Sequence, residues 1–209
     1  MDRREILSRI RTTLAPNGIG RFCFVCGSAG VHLEEGAQGE VFVCDAHGHR
    51  SPRAFLFDGR AVYTFEDNEL IHEVAGAVIR RTSGDTRQTL LFLRRKFPFQ
   101  YTIPAGHTEI GMQPEAEMRR EVAEETGLMV QTGSPLWTEG LLLKDACRRG
   151  ADFHRWHVFE VAANGTPRLS DEGRIIGWYL DDEIQQLARQ DMLTTPARAI
   201  FAGLGVLNE

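Results

Sequence analysis

Between Gly106 and Leu128 the chain reads GHTEIGMQPEAEMRREVAEETGL, and Glu121, Glu124 and Glu125 fall in it at i, i+3 and i+4. On a helix this spacing stands three carboxylates on one face, with Glu117 one turn upstream on the same side. Each like-charge pair costs roughly a few tenths of a kcal/mol, and Arg119 and Arg120 are the nearby cations that could offset it. A hard divalent cation would turn the repulsion into coordination. Mg2+ (or Mn2+) takes oxygen ligands, and Mg2+ is commonly held by a few carboxylates with water and phosphate oxygens. A solvated, glutamate-rich face is the plainer source of such a run in an arbitrary sequence.

A second constellation lies in the first quarter of the chain. Cys23-x2-Cys26-Gly27 and Cys44-x2-His47-Gly48 are set apart by the 17 residues between Cys26 and Cys44, within the spacing that reads as a zinc site. Three thiolates and one imidazole suit a tetrahedral Zn2+ with no open position, hence a structural one. His49 and His32 are alternative fourth ligands, but His47 repeats the spacing of the first pair. Cys147, in KDACRRG, reads as a lone thiol. His154 and His157, three apart on an expected strand, point to opposite faces and read as core or surface residues rather than ligands.

Such side chains need elements to hold them. Pro114 suits the first turn of a helix and Gly127 a left-handed C-terminal residue, so a helix is expected from about 114 to 126. Met118 and Val122 would fix it to a core while the carboxylates look into a cleft. Upstream, HEVAGAVIRR and TLLFLRR flank Ser83-Gly84-Asp85, the pattern of a hairpin. Further strands are expected near Leu128, Leu141, His157 to Val161 and Ile175 to Tyr179, with short helices at Asp182 to Ala188 and Pro196 to Ala202. Residues 2–14, with Ile6, Leu7, Ile10 and Leu14 at helical spacing, read as an amphipathic helix stopped by Pro16-Asn17-Gly18. From Phe22 to about Arg60, short β-prone pieces (FCFVC, EVFVC, RAFLF) between glycines suggest a separate small module. Strands interleaved with few helices define an α/β or α+β sandwich.

At 209 residues, the chain accommodates one sizeable core and a small appended module. A net charge of −5 argues against a protein that coats a nucleic-acid backbone. No apolar run reaches the ~18 residues of a membrane span and no secretory h-region is present, so no membrane association and a cytoplasmic location are expected.

The full spacing overturns the solvated-face reading. Gly106, Arg120-Glu121, Val122, Glu124-Glu125 and Gly127 resemble the Nudix box, Gly-x5-Glu-x7-Arg-Glu-U-x-Glu-Glu-x-Gly-U, where U is aliphatic. The departure is Met112, which stands where the box has its first glutamate; Glu109 or Glu115 could partly substitute. The resemblance implies a Nudix α/β/α sandwich and a Mg2+-dependent hydrolase of nucleoside diphosphate-linked compounds. Glu121, Glu124 and Glu125 would be the metal ligands, Gly106 would complete the cofactor-binding set, and Arg120 would orient a catalytic glutamate. Glu172, six positions before Trp178, matches a place where related enzymes supply another ligand or base, with Asp171 and Asp152 as rivals. Phe97, Phe99 and Tyr101 could stack a base, although alternate strand residues more often belong to a core.

A zinc ribbon at 1–60 ahead of a Nudix domain at 61–209 is similar to the NADH pyrophosphatase group. That group's Ser-Gln-Pro-Trp-Pro-Phe-Pro stretch is missing from QTGSPLWTEGLLLKD, so NADH specificity rests on domain layout alone. The rival reading is a zinc ribbon that docks a partner, with the Nudix fold as a ligand sensor. Arg21 and Arg50 stand against Glu34, Glu35, Glu40 and Asp45, a poor phosphate clamp. A protein partner or a homodimer interface remains for that module.

Overall fold

The computed structural model describes residues 2–14, 18–23, 25–36, 39–51, 54–67, 69–96, 98–145 and 151–207. Phe97 and Cys147 lie outside them. The chain divides into two compact units, Met1–Glu73 with Lys144–His154, and Val74–Leu143 with Arg155–Glu209.

The first unit opens with α1 (Arg3–Thr13), whose N-cap Asp2 accepts a hydrogen bond from the Arg4 amide. Its apolar stripe, Ile6, Leu7 and Ile10, is buried with Phe22, Phe57, Ala61, Tyr63, Leu70 and Ala151. Strand β1 (Ile19–Phe22) pairs antiparallel with β5 (Phe55–Asp58). β2 (Val31–Gly36), β3 (Gly39–Cys44) and β4 (Arg50–Ser51) form a three-stranded antiparallel sheet. β6 (Tyr63–Glu66) pairs with the start of β7 (Glu69–Ser83). Two local expectations change here. FCFVC is strand only as far as Phe22, because Val25 and Cys26 turn; and VHLEEG, too polar to be singled out, becomes β2 by pairing with β3.

In the second unit β7 and β8 (Thr86–Arg94) form the expected hairpin around Gly84 at φ 60°, the left-handed conformation that a two-residue loop demands. Next come β9 (Tyr101–Thr102), β10 (Ala105–His107), α2 (Pro114–Thr126), β11 (Met129–Pro135), β12 (Leu141–Leu143), β13 (Phe153–Asn164) and β14 (Gly173–Leu180). Helices α3 (Asp181–Arg189) and α4 (Thr195–Gly203) follow. The sheet runs β11-β13-β7-β8-β14, with β9 on β8, β10 on β7 and β12 on β13.

Alternation along the central strands explains the layers. Val74 and Val78 of β7 and Leu91 of β8 are buried with Ile184 of α3 and with Ile200 and Phe201 of α4. Ala75, Ala77, Ile79 and Leu90 point the other way and are buried with Met118 and Val122 of α2. Strands covered on both faces read as continuous apolar runs, as HEVAGAVI does. The result is a mixed α+β sandwich of α/β/α type, as the box implied. Among the described residues no helix is long and apolar enough to cross a membrane.

Candidate active site and cysteine cluster

Helix α2 carries Pro114 in its first turn and ends on Gly127 at φ 68°, whose amide donates to Ala123. Burial of Met118 and Val122 against the sheet then decides where its carboxylates go. They are not equivalent. Glu117 is 0% exposed and Glu125 9%, whereas the Glu124 side chain is 58% exposed. Glu125 accepts a hydrogen bond from the Ala105 amide at 2.9 Å, which ties α2 to β10. A methyl group on Gly106 would collide with the Glu121 carboxylate, so any side chain there would force that carboxylate to shift.

Arg120 gathers this cluster. Its guanidinium donates to Glu121 and to Glu124 at 2.6 Å each, and pairs with Glu117 through both Nε and Nη2. Glu117 also accepts from the Glu109 amide at 3.4 Å, fastening the loop before α2. Helical spacing puts Glu117 on this side of the helix, and its full burial against Arg120 anchors the guanidinium. Glu115 pairs with Arg119 instead, and Met112 is exposed. Burial holds Arg120 back, yet the carboxylates of Glu117, Glu121 and Glu124 keep it more strongly protonated than usual.

The electrostatics are frustrated without a cation. Burial, with repulsion from Glu117, Glu124 and Glu172, pushes Glu121 up to about 7 despite Arg120. Burial, with repulsion from Glu121 and Glu172, pushes Glu125 to about 8 despite the Ala105 amide and Arg94. Oxygen donors with excess negative charge are the kind that Mg2+ or Mn2+ takes, although among the described residues no three of these carboxylates have oxygens within 4.8 Å of one another. Glu172, in the turn before β14, is 60% exposed, pairs with Lys96 at 3.6 Å, and is felt by both Glu121 and Glu125. Its rivals are less suited. Asp152 accepts from the Leu70 amide at 2.9 Å in the first unit, and Asp171 is exposed. Tyr101 packs edge-on to Tyr179 against the core, while Phe99 is 52% exposed beneath Arg174.

In the first unit, ligand atoms of Cys23, Cys26, Cys44 and His47 all lie within 4.8 Å of one another. Cys26 and Cys44 sulfurs are 3.7 Å apart, and Cys23 Sγ lies 3.6 Å from His47 Nε2. Tetrahedral zinc with bonds of ~2.3 Å to sulfur and ~2.0–2.1 Å to nitrogen requires about 3.8 and 3.6 Å, so the residues present fit that ion. Two equivalent knuckles hold them. Gly27 and Gly48 both sit at φ 69° and donate to the carbonyls of Cys23 and Cys44, while the amides of those cysteines donate to Ser28 and His49. Burial raises the Cys44 thiol, but the amides of Ala46 and His47 and the neighbouring cysteines bring it below its ordinary value. His32 is occupied by Asp45 and Glu34, and His49 is not in the cluster.

A sandwich built round the central hairpin, with a box loop and acidic helix closing a carboxylate site, defines a class. The NUDIX domain family matches residues 70–200, and the chain belongs to it. A MutT NUDIX hydrolase from Burkholderia pseudomallei is 21% identical, aligning 66% of this chain with 98% of its own at a TM-score of 0.52. A NUDIX hydrolase from Nitrosomonas europaea is also 21% identical, over 64% of this chain and 88% of its own, at 0.50. The NUDIX domain of Shewanella oneidensis NrtR, solved with ADP ribose, is 17% identical over 64% of this chain and 85% of its own, also at 0.50. These likenesses bear on the fold.

Proposed function

We propose that the chain hydrolyses a phosphoanhydride bond in nucleoside diphosphate-linked compounds such as dinucleotides, ADP-ribose or nucleotide sugars, with Mg2+ as cofactor. The observation that carries this is the crowding of Glu117, Glu121 and Glu124 around Arg120, with the buried Glu125 on the same helix and Gly106 leaving room for the Glu121 carboxylate. Glu121, Glu124 and Glu125 would hold the cation. When bound, it would supply charge neutralisation for the diphosphate and a more acidic water. Glu117 holds Arg120, and Arg120 aims Glu121 and Glu124. Glu125 keeps β10 in register with α2 through the Ala105 amide. Removing the proton of the attacking water falls to Glu124, Glu125 or Glu172.

Residues 1–60 are read as a zinc-ribbon module and 61–209 as the hydrolase domain, in a cytoplasmic protein. Presenting the wild type and Glu124→Gln with a panel of dinucleotides, ADP-ribose and nucleotide sugars tests the activity. Mononucleotide release that needs Mg2+ and drops at least about 100-fold in Glu124→Gln is expected, in line with loss of a charge-stabilising group. No release by the wild type from any compound would sink the proposal.

A further inference from the structure

Two histidines that the proposed chemistry leaves unused meet inside the first unit. His72, on β7, is 0% exposed, and His154, at the start of β13, is 5% exposed. Their ring centroids are 5.8 Å apart, and their ligand nitrogens lie within 4.8 Å. Tyr63 lies edge-on to His72 with centroids 4.2 Å apart, restricting the ring. The backbone around them is tied as well. The Asp152 amide donates to the Leu70 carbonyl at 2.7 Å, and the Leu70 amide donates to the Asp152 carboxylate at 2.9 Å. Asp145, whose side chain is 10% exposed, bonds Nδ1 of His154.

A carboxylate on Nδ1 fixes the imidazole tautomer and leaves Nε2 as the nitrogen with a lone pair to offer. Metal-binding histidines are commonly oriented in this way. We propose that His72 and His154 are imidazole ligands of a divalent transition-metal ion of the zinc type, with Asp145 orienting His154. Nitrogen donors select such an ion over Mg2+, which keeps to oxygen. Nitrogens at ~2.0–2.1 Å from one metal stand about 3.3 Å apart in tetrahedral geometry, a separation inside the 4.8 Å that bounds the ligand nitrogens here. Water or a further side chain completes the coordination. The ion would pin the start of β7 to the start of β13. The competing explanation is a metal-free pair of core imidazoles.

Full-length protein titrated with Co2+ in a large excess of Mg2+ separates them, since Mg2+ occupies the carboxylate site. Two cobalt ions per chain are expected. One would show sulfur-to-cobalt charge transfer from the cysteine cluster, and one only the visible bands of nitrogen and oxygen coordination. His72→Gln with His154→Gln should lose the second ion and keep the charge-transfer band, which also reports a folded unit. Asp145→Asn should weaken the second ion by ~10–100-fold. Should the double variant not fold, X-ray absorption of the wild type decides through imidazole scattering in a sulfur-free shell. A wild type that binds no sulfur-free cobalt overturns the proposal. Absence of the charge-transfer band alone overturns the zinc reading of the cysteine cluster and leaves this one standing.

Discussion

Arg120 is held by three carboxylates while Glu125 is held by a backbone amide, so the site's acids differ in exposure and partner. Two predictions belong to this scale. Gly106→Ala should fold and yet lose kcat/KM by about 100-fold or more, because its methyl group displaces the Glu121 carboxylate. Steady-state kinetics beside a thermal melt check this, and a fully active variant would refute the crowding. The second is pH dependence. Glu121 and Glu125 titrate at about 7 and about 8 when folded, against an ordinary 4.5. Between those values the folded protein binds more protons than the unfolded one, so metal-free stability falls as pH rises from about 4.5 to 8. Mg2+ competes with those protons, and the melting-temperature gain on adding it should grow between about pH 6 and pH 9. A gain independent of pH would contradict the raised values. That Glu121, Glu124 and Glu125 share a helix was legible in the sequence, because Pro114 and Gly127 bound that helix locally. Glu117 was only half legible, since helical spacing gives its side but not its complete burial.

At the scale of elements, α2 shows why its bounds were readable: Pro114 and Gly127 have conformational preferences that act locally. Gly127→Ala forces a Cβ into the left-handed region and against Arg168. It should cost about 1–2 kcal/mol, a fall in melting temperature of roughly 2–8 °C, and thermal denaturation measures it. An unchanged melt would mean that the helix end rearranges. The β7–β8 hairpin was legible through Gly84 and its apolar flanks. β2 was not, because VHLEEG owes its strand to pairing with β3 rather than to its own pattern. The cysteine pieces misled in the opposite sense. FCFVC has the composition of a strand, but Cys23 to Ser28 is a knuckle whose amides and carbonyls bond to each other.

For the molecule as a whole, the layered fold was readable from the order of its elements. The meeting of His72 with His154 was not, because nothing local to either residue encodes a partner so far along the chain. The cysteine cluster was readable at that distance because each knuckle repeats one spacing. A chelator strong enough to strip zinc should speed amide hydrogen exchange in β2 and β3 while α2 keeps its protection; equal protection before and after would remove the structural role of the ion. The paired knuckles carry one more consequence. Were zinc bound there, four ligands that converge in the folded state would make that state the one that captures the ion, so binding free energy would become folding free energy. If the cluster holds zinc, each tenfold rise in free zinc above the dissociation constant would add about 1.4 kcal/mol to the stability of the first unit. That unit's share of folded molecules would then be coupled to zinc supply.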